Sequence, residues 1–186
     1  MSKVIFNTAT SFNGYIADDR NSLGWLFAVD EEGQPDNGAF MEGIGVLVEG
    51  STTYEWLLLE TNMLAEPQKW QGFYGDRPTF VFTSRDLPKP EGADIRFVSG
   101  AVDVALPQIL EAAGDRNVWV VGGGELAGQF FDVGALDAIV LAIAPVALPG
   151  GAALLPRRIE AHSLRLENVE RFGQFAQLTY RVGRSA

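Results

Sequence analysis

The chain has 186 residues, of which 47% are hydrophobic and 20% charged, enough apolar material for one well-packed domain. A formal net charge of −10 argues against a nucleic-acid groove or an anionic membrane surface, so an anionic ligand has to be held locally by backbone amides and a few placed cations. No cysteine is present and His162 is the one histidine, which excludes a disulfide framework, a thiolate metal site and a multi-histidine metal site.

The apolar stretch Val4 to Thr10 reads as a first strand. No secretory hydrophobic region precedes it and no run reaches ~18 apolar residues, so a soluble, cytoplasmic protein is expected. A turn signal at Asn13-Gly14 follows, and Asp18 to Asn37 forms a long polar loop that carries Trp25, Leu26 and Phe27. A connection of that length inside a compact domain usually serves as a lid or binding loop. Gly38 to Glu42 reads as a short helix and Gly45 to Glu49 as a buried strand. Gly50-Ser51-Thr52-Thr53-Tyr54-Glu55 is a strand-turn-helix junction with Ser or Thr placed to cap the helix. Thr79 to Thr83 is a further strand closed by Ser84-Arg85-Asp86, and Ile95 to Val98 is a short one. Val102 to Ala113 is helical by the spacing of Val104, Ile109, Leu110 and Ala113.

The central feature is Val118 to Phe131. Val118-Trp119-Val120-Val121 reads as a strand buried on both faces, Gly122-Gly123-Gly124 breaks it, and Glu125 to Phe131 opens an amphipathic helix. A strand, a glycine turn and a helix aim free N–H groups and a positive dipole end at one point, which favours a phosphate or other anion. Gly122-x-Gly124-x-x-Ala127 also fits the dinucleotide fingerprint of doubly wound folds. That fingerprint belongs to a first strand with an acid about 20 residues on. Here it comes late, and position 142 is Ala, so an ordinary Rossmann fold is disfavoured. Ala138 to Ile143 is another strand, Pro145 to Ala152 a Gly/Pro-rich loop, and Ser163–Arg171 with Gln174–Val182 a hairpin. The alternation implies a single α/β domain over residues 1–186. Its central sheet is mostly parallel, with helices on both faces and a C-terminal antiparallel hairpin.

Taken in order, Ser11-x-Asn13-Gly14-x-Ile16-Ala17, Gly50-x-Thr52-Thr53-Tyr54-Glu55, Phe82-Thr83-Ser84-Arg85 and Val121-Gly122-Gly123-Gly124-x-Leu126 resemble the dihydrofolate reductase-like fold. The match is closer to the reductase domain of bifunctional riboflavin-biosynthesis deaminase/reductases and its stand-alone relatives. Pro145-Val146-x-Leu148-x-Gly150-Gly151 and the closing hairpin fit that group too. The resemblance implies NADPH as cofactor. Gly122, Gly123, Gly124, Glu125 and Leu126 would offer the diphosphate turn, often with a cis peptide between its first two glycines. Ala9, Gly14 and Ile16 would line the nicotinamide pocket, and Gly50, Thr52 and Thr53 would add phosphate contacts. Thr83, Ser84 and Arg85 would meet the adenosine 2′-phosphate. Members commonly carry Arg where this chain has Ser51, which leaves Arg85 most of the NADPH-over-NADH discrimination. On the substrate side, Trp25 is the candidate contact and, by its spacing from Trp25, Asp30 the candidate catalytic acid, with Asp36 an alternative.

The resemblance implies an NADPH-dependent reductase acting on a small heterocyclic or carbonyl-type molecule, a homodimer in this branch. The apolar strands Ala138–Ile143 and Gln174–Val182 would form its interface. Two other readings stay open. One is a riboflavin-pathway reductase acting on a phosphorylated aminopyrimidine precursor, against which the acidic loop with Asp18, Asp19, Asp30, Glu31, Glu32 and Asp36 weighs. The other is a nucleotide-binding module without turnover.

Overall fold

The computed structural model describes residues 2–29 and 37–183. Asp30 and Asp36 therefore lie outside the described residues. In chain order the strands are β1 (Val4–Ser11), β2 (Tyr15–Ala17), β3 (Ile44–Gly50), β4 (Thr79–Phe82), β5 (Ile95–Val98), β6 (Asn117–Gly122), β7 (Ala138–Ala144), β8 (Ala152–Ala153), β9 (Leu164–Phe172) and β10 (Phe175–Val182). The helices are α1 (Gly24–Phe27), α2 (Asn37–Glu42), α3 (Ser51–Glu60), α4 (Gln68–Tyr74), α5 (Val102–Ala113) and α6 (Gly124–Asp132). The main sheet runs β5-β4-β3-β6-β1-β7-β10-β9. Its first six strands are parallel, and β10 turns the edge antiparallel to both β7 and β9.

The β-branched runs read from the sequence occupy the middle of this sheet, where a strand is covered on both faces. On one face α5 and α6 pack Ile109, Ala127 and Phe130 against Phe6, Val46, Val48, Val118 and Val120. On the other, α3 and α4 pack Tyr54, Leu57, Trp70 and Tyr74 against Leu47, Val81 and Ile95. The two cores make the sheet the interior layer of a three-layer α/β fold.

Several local readings are corrected. α4 was absent from the sequence reading; its seven residues include Gly72, and tertiary burial of Trp70 and Tyr74 holds it rather than intrinsic propensity. The loop after β2 contains the single turn α1. The Gly/Pro-rich loop contributes β8, which pairs antiparallel with β2. In α5 the buried stripe is Val102, Ala105, Ile109 and Ala113, while Val104 faces solvent. No hydroxyl caps α3: its N-cap is Gly50 in extended conformation, and Ser51 and Thr52 already lie inside the first turn.

Candidate active site

The carboxyl ends of β1, β3, β4 and β6 open into one cleft of about 770 Å³, a size suited to a bound small molecule. Open α/β sheets bind ligands outside the carboxyl ends of their strands. Of the fourteen residues expected to hold a dinucleotide, twelve line this cleft: Ala9, Ile16, Gly50, Thr52, Thr53, Thr83, Ser84, and Gly122 through Leu126. Gly14 is not among the lining residues. With φ of +88° it forms the turn between β1 and β2, and its carbonyl accepts the Leu154 N–H at 2.9 Å. Arg85 also lies off the cleft wall, its guanidinium paired with Glu55.

Two helices begin at this cleft. Both α3 and α6 have glycine N-caps, Gly50 and Gly123, and neither has a side-chain cap. The first-turn N–H groups of Ser51, Thr52 and Thr53, and of Gly124, Glu125 and Leu126, are therefore left for a ligand. Their junctions are adjacent: a Cβ on Gly50 would lie 3.7 Å from the Gly122 oxygen and the Gly123 nitrogen. Two positive dipole ends thus converge where side chains are absent. The Gly122–Gly123 peptide is cis, as the resemblance implies. Gly124 has no room for a side chain, because a Cβ would collide with the carbonyl oxygens of Ala153 and Leu154. The β2–β8 ribbon consequently lies close over the start of α6, and Ile16, Ala17, Ala152 and Ala153 close that side of the cleft.

Glu125 is the one charged side chain among the described residues lining the cleft. Arg157 neutralises it. Its guanidinium donates to both Glu125 oxygens, at 2.8 and 2.7 Å, and through Nε to Asp132 at 2.8 Å. This fork holds the Glu125 carboxyl below the usual carboxylate range and raises the Arg157 pKa. An anion at the α6 N-terminus thus faces an ion pair and not a bare carboxylate.

The other half of the cleft is apolar. Leu23, Leu26, Trp56, Leu57, Trp119 and Val121 line it, with Asn7 and Asn21 as its polar members. Phe27 stacks on Trp56 at 6.3 Å between centroids, and Trp119 donates its indole N–H to the Asn7 carbonyl at 2.9 Å, so both indoles are fixed. Trp25 does not line the cleft; it packs against Val29, Ala144 and Phe175. Leu23 and Leu26 are the apolar residues of that loop that enter. Sequence reasoning missed Trp56, Trp119, Ser99 and Gly100, although Ser99-Gly100 directly follows a parallel strand and is recoverable from the carboxyl-end rule.

Behind Gly50 lies Glu49, fully buried in the α3/α4 core. Burial pushes its carboxyl up to about 8, against the smaller pull of the Tyr74 hydroxyl. Neither of its oxygens makes a well-formed hydrogen bond. The same carboxyl raises the Tyr54 and Tyr74 hydroxyl pKa values beyond what burial does. Burial thus favours the protonated, neutral form of Glu49.

Comparison with known proteins agrees with this architecture. The model for the RibD C-terminal domain matches residues 58–178. The uncharacterized protein YwjB of Bacillus subtilis (strain 168) is 30% identical over 182 residues, covering 96% of this chain and 97% of its own. A crystal structure of a riboflavin biosynthesis protein from Shewanella sp. PV-4 superposes with a TM-score of 0.78 at 26% identity, over 99% of this chain and 100% of that one. Dihydrofolate reductase from Enterococcus faecalis, solved with NADP(H), gives 0.61 at 16% identity over 97% and 96% of the two chains, a likeness of fold. The chain has a dihydrofolate reductase-like fold and belongs to the RibD C-terminal domain family.

Proposed function

We propose that this chain is an NADPH-dependent reductase that transfers hydride to a small, uncharged heterocyclic or carbonyl-type substrate. The observation that carries this reading is the meeting, in one cleft, of two uncapped helix N-termini with a rigid aromatic chamber. The residues present fit a dinucleotide. First-turn amides of α3 and α6 suit the diphosphate, the glycine turn lets it approach the backbone, and the Thr83 and Ser84 hydroxyls, which line the same cleft, would meet the adenosine ribose. NADPH, when bound, supplies the hydride; the protein supplies positioning and electrostatics.

The chain's own contribution is then physical. Ala9, Ile16 and the β2–β8 ribbon would hold the nicotinamide ring against the end of β1. Trp56, Trp119 and Leu26 exclude water and present flat apolar surfaces to a planar substrate, while Asn7 and Asn21 offer polar atoms to orient it. No Lys, Arg or His lines the cleft among the described residues. A phosphorylated substrate would find no cation there, which favours an uncharged one. The half-exposed apolar side of β7 and β10, continued by Leu166 and Val169 of β9 at 50% and 59% exposure, supports self-association through that sheet face. Sedimentation of the purified chain tests that part.

Turnover is tested by following nicotinamide absorbance with a panel of uncharged heterocycles and carbonyl compounds beside their phosphorylated counterparts. Oxidation of NADPH by an uncharged member supports the reading. Turnover confined to phosphorylated members would favour the aminopyrimidine precursor, and cofactor binding without turnover on any member would favour a binding module.

A further inference from the structure

Arg85 follows Thr83 and Ser84 at the carboxyl end of β4, yet its guanidinium does not face the cleft. Its Nη1 donates to Glu55 Oε1 at 3.0 Å and its Nη2 donates to Oε2, a two-pronged fork. Its backbone N–H donates to the Thr83 hydroxyl at 3.0 Å, which fixes the start of the side chain beside the cleft rim. Glu55 stands on α3, one turn beyond Ser51, Thr52 and Thr53, whose amides open into the same cleft. The cation at the adenosine end therefore carries its own counter-anion, delivered from the helix that holds the phosphates.

We propose that Glu55 is a specificity-determining residue: it competes with the adenosine 2′-phosphate for the Arg85 fork, so that the chain takes NADH nearly as well as NADPH. This rests on the reductase reading. A planar guanidinium presents one bidentate face suited to either a carboxylate or a phosphate. While Glu55 holds that face, a 2′-phosphate meets a neutral pair and the nearby Glu55 charge. The pair is solvent-exposed on both sides, 54% for Arg85 and 36% for Glu55, so it exchanges readily rather than locking the site. Position 51, where a second cation would strengthen the phosphate site, is an uncharged serine. For NADH the same arrangement costs nothing, because without a 2′-phosphate the Arg85–Glu55 fork stays closed. A purely structural role, tying α3 to the loop after β4, makes a different prediction: stability would fall on substitution and the cofactor ratio would not move.

The test is a calorimetric titration of the full chain with NADPH and with NADH, in wild type, Glu55→Gln, Arg85→Ala and the double variant. Wild type is expected to bind the two dinucleotides within about tenfold of each other. Glu55→Gln is expected to tighten NADPH about tenfold and to leave NADH unchanged or weakened by about twofold. The gain should vanish in Glu55→Gln/Arg85→Ala, because it acts through the guanidinium. A thermal melt of each variant accompanies the titrations, since a merely structural pair would show there. If both dinucleotides bind and Glu55→Gln leaves their ratio unchanged, the proposal for Glu55 is overturned while the cofactor reading stands. If wild type binds neither, the cofactor reading falls and takes this proposal with it.

Discussion

Arg157 lies across the helix position of Gly128 and holds the Glu125 carboxylate beside the Gly122–Gly124 turn. The contact is tight: a Cβ on Gly128 would approach the Arg157 side chain to 2.9 Å, so the absence of a side chain at 128 seats the guanidinium. Removing the cation leaves a carboxylate facing any bound anion. Arg157→Met is therefore expected to weaken NADPH binding by about 1–2 kcal/mol, while Arg157→Met/Glu125→Gln recovers most of that loss. Paired titrations of the two variants check it. Equal losses in both would mean that Arg157 acts through packing and not by masking charge.

Glu49 provides a pH-dependent term. Its folded pKa, about 8, lies above the ordinary glutamate value of 4.5, so between those values the folded chain holds one more proton than the unfolded one. Stability from this group is then fully present below pH 4.5 and declines as pH rises toward 8, by up to about 1.4 kcal/mol per pH unit. Urea denaturation at pH 5, 6, 7 and 8 should show that slope in wild type, and Glu49→Gln should flatten it. Because the amide carries no charge to bury, the variant should be at least as stable as wild type at pH 8. A parallel slope in the variant would assign the effect to other groups.

Gly124 is predicted to tolerate no side chain. In Gly124→Ala the new methyl meets the backbone carbonyls of Ala153 and Leu154, which cannot swing aside as a side chain could. The β2–β8 ribbon must lift, at a cost of about 1–3 kcal/mol in stability, and cofactor affinity should fall with it. A melting curve and a dinucleotide titration of one preparation check both. An unchanged melting temperature would show that the ribbon is not seated on α6.

The strands were legible because their β-branched runs are long and bounded by turn residues, as in Gly45–Glu49, Val118–Val121 and Ala138–Ile143. The two glycine junctions were legible for a related reason, since a glycine run between a buried strand and an amphipathic helix leaves few alternatives. Other features depend on tertiary placement. The Glu55–Arg85 and Glu125–Arg157 forks join residues 30 and 32 positions apart, and nothing local marks which residue pairs with which. Gly45–Glu49 reads as a buried strand, but that the Glu49 carboxyl is itself sealed beneath α3 and α4 depends on the packing of those helices. Trp25 and Leu26 are adjacent in sequence, and only the turn of α1 decides that Leu26 enters the cleft while Trp25 packs on Phe175.

The aromatic chamber and the phosphate end of the cleft are expected to separate kinetically. Trp56→Ala removes one wall of the chamber and the partner on which Phe27 stacks. KM for the substrate should rise about tenfold, with dinucleotide affinity within about twofold of wild type. Steady-state kinetics beside direct cofactor titration make the comparison. A matching loss of cofactor affinity would contradict the division of the cleft into two halves.

The most direct test of the account is the titration of the wild-type chain with NADPH, read by quenching of tryptophan fluorescence, since Trp56 and Trp119 both line the cleft. Saturable binding with a Kd in the micromolar range is expected, competed by NADP+ and weakened by Gly124→Ala. No saturable binding at millimolar NADPH would contradict the claim that the uncapped starts of α3 and α6 hold a dinucleotide.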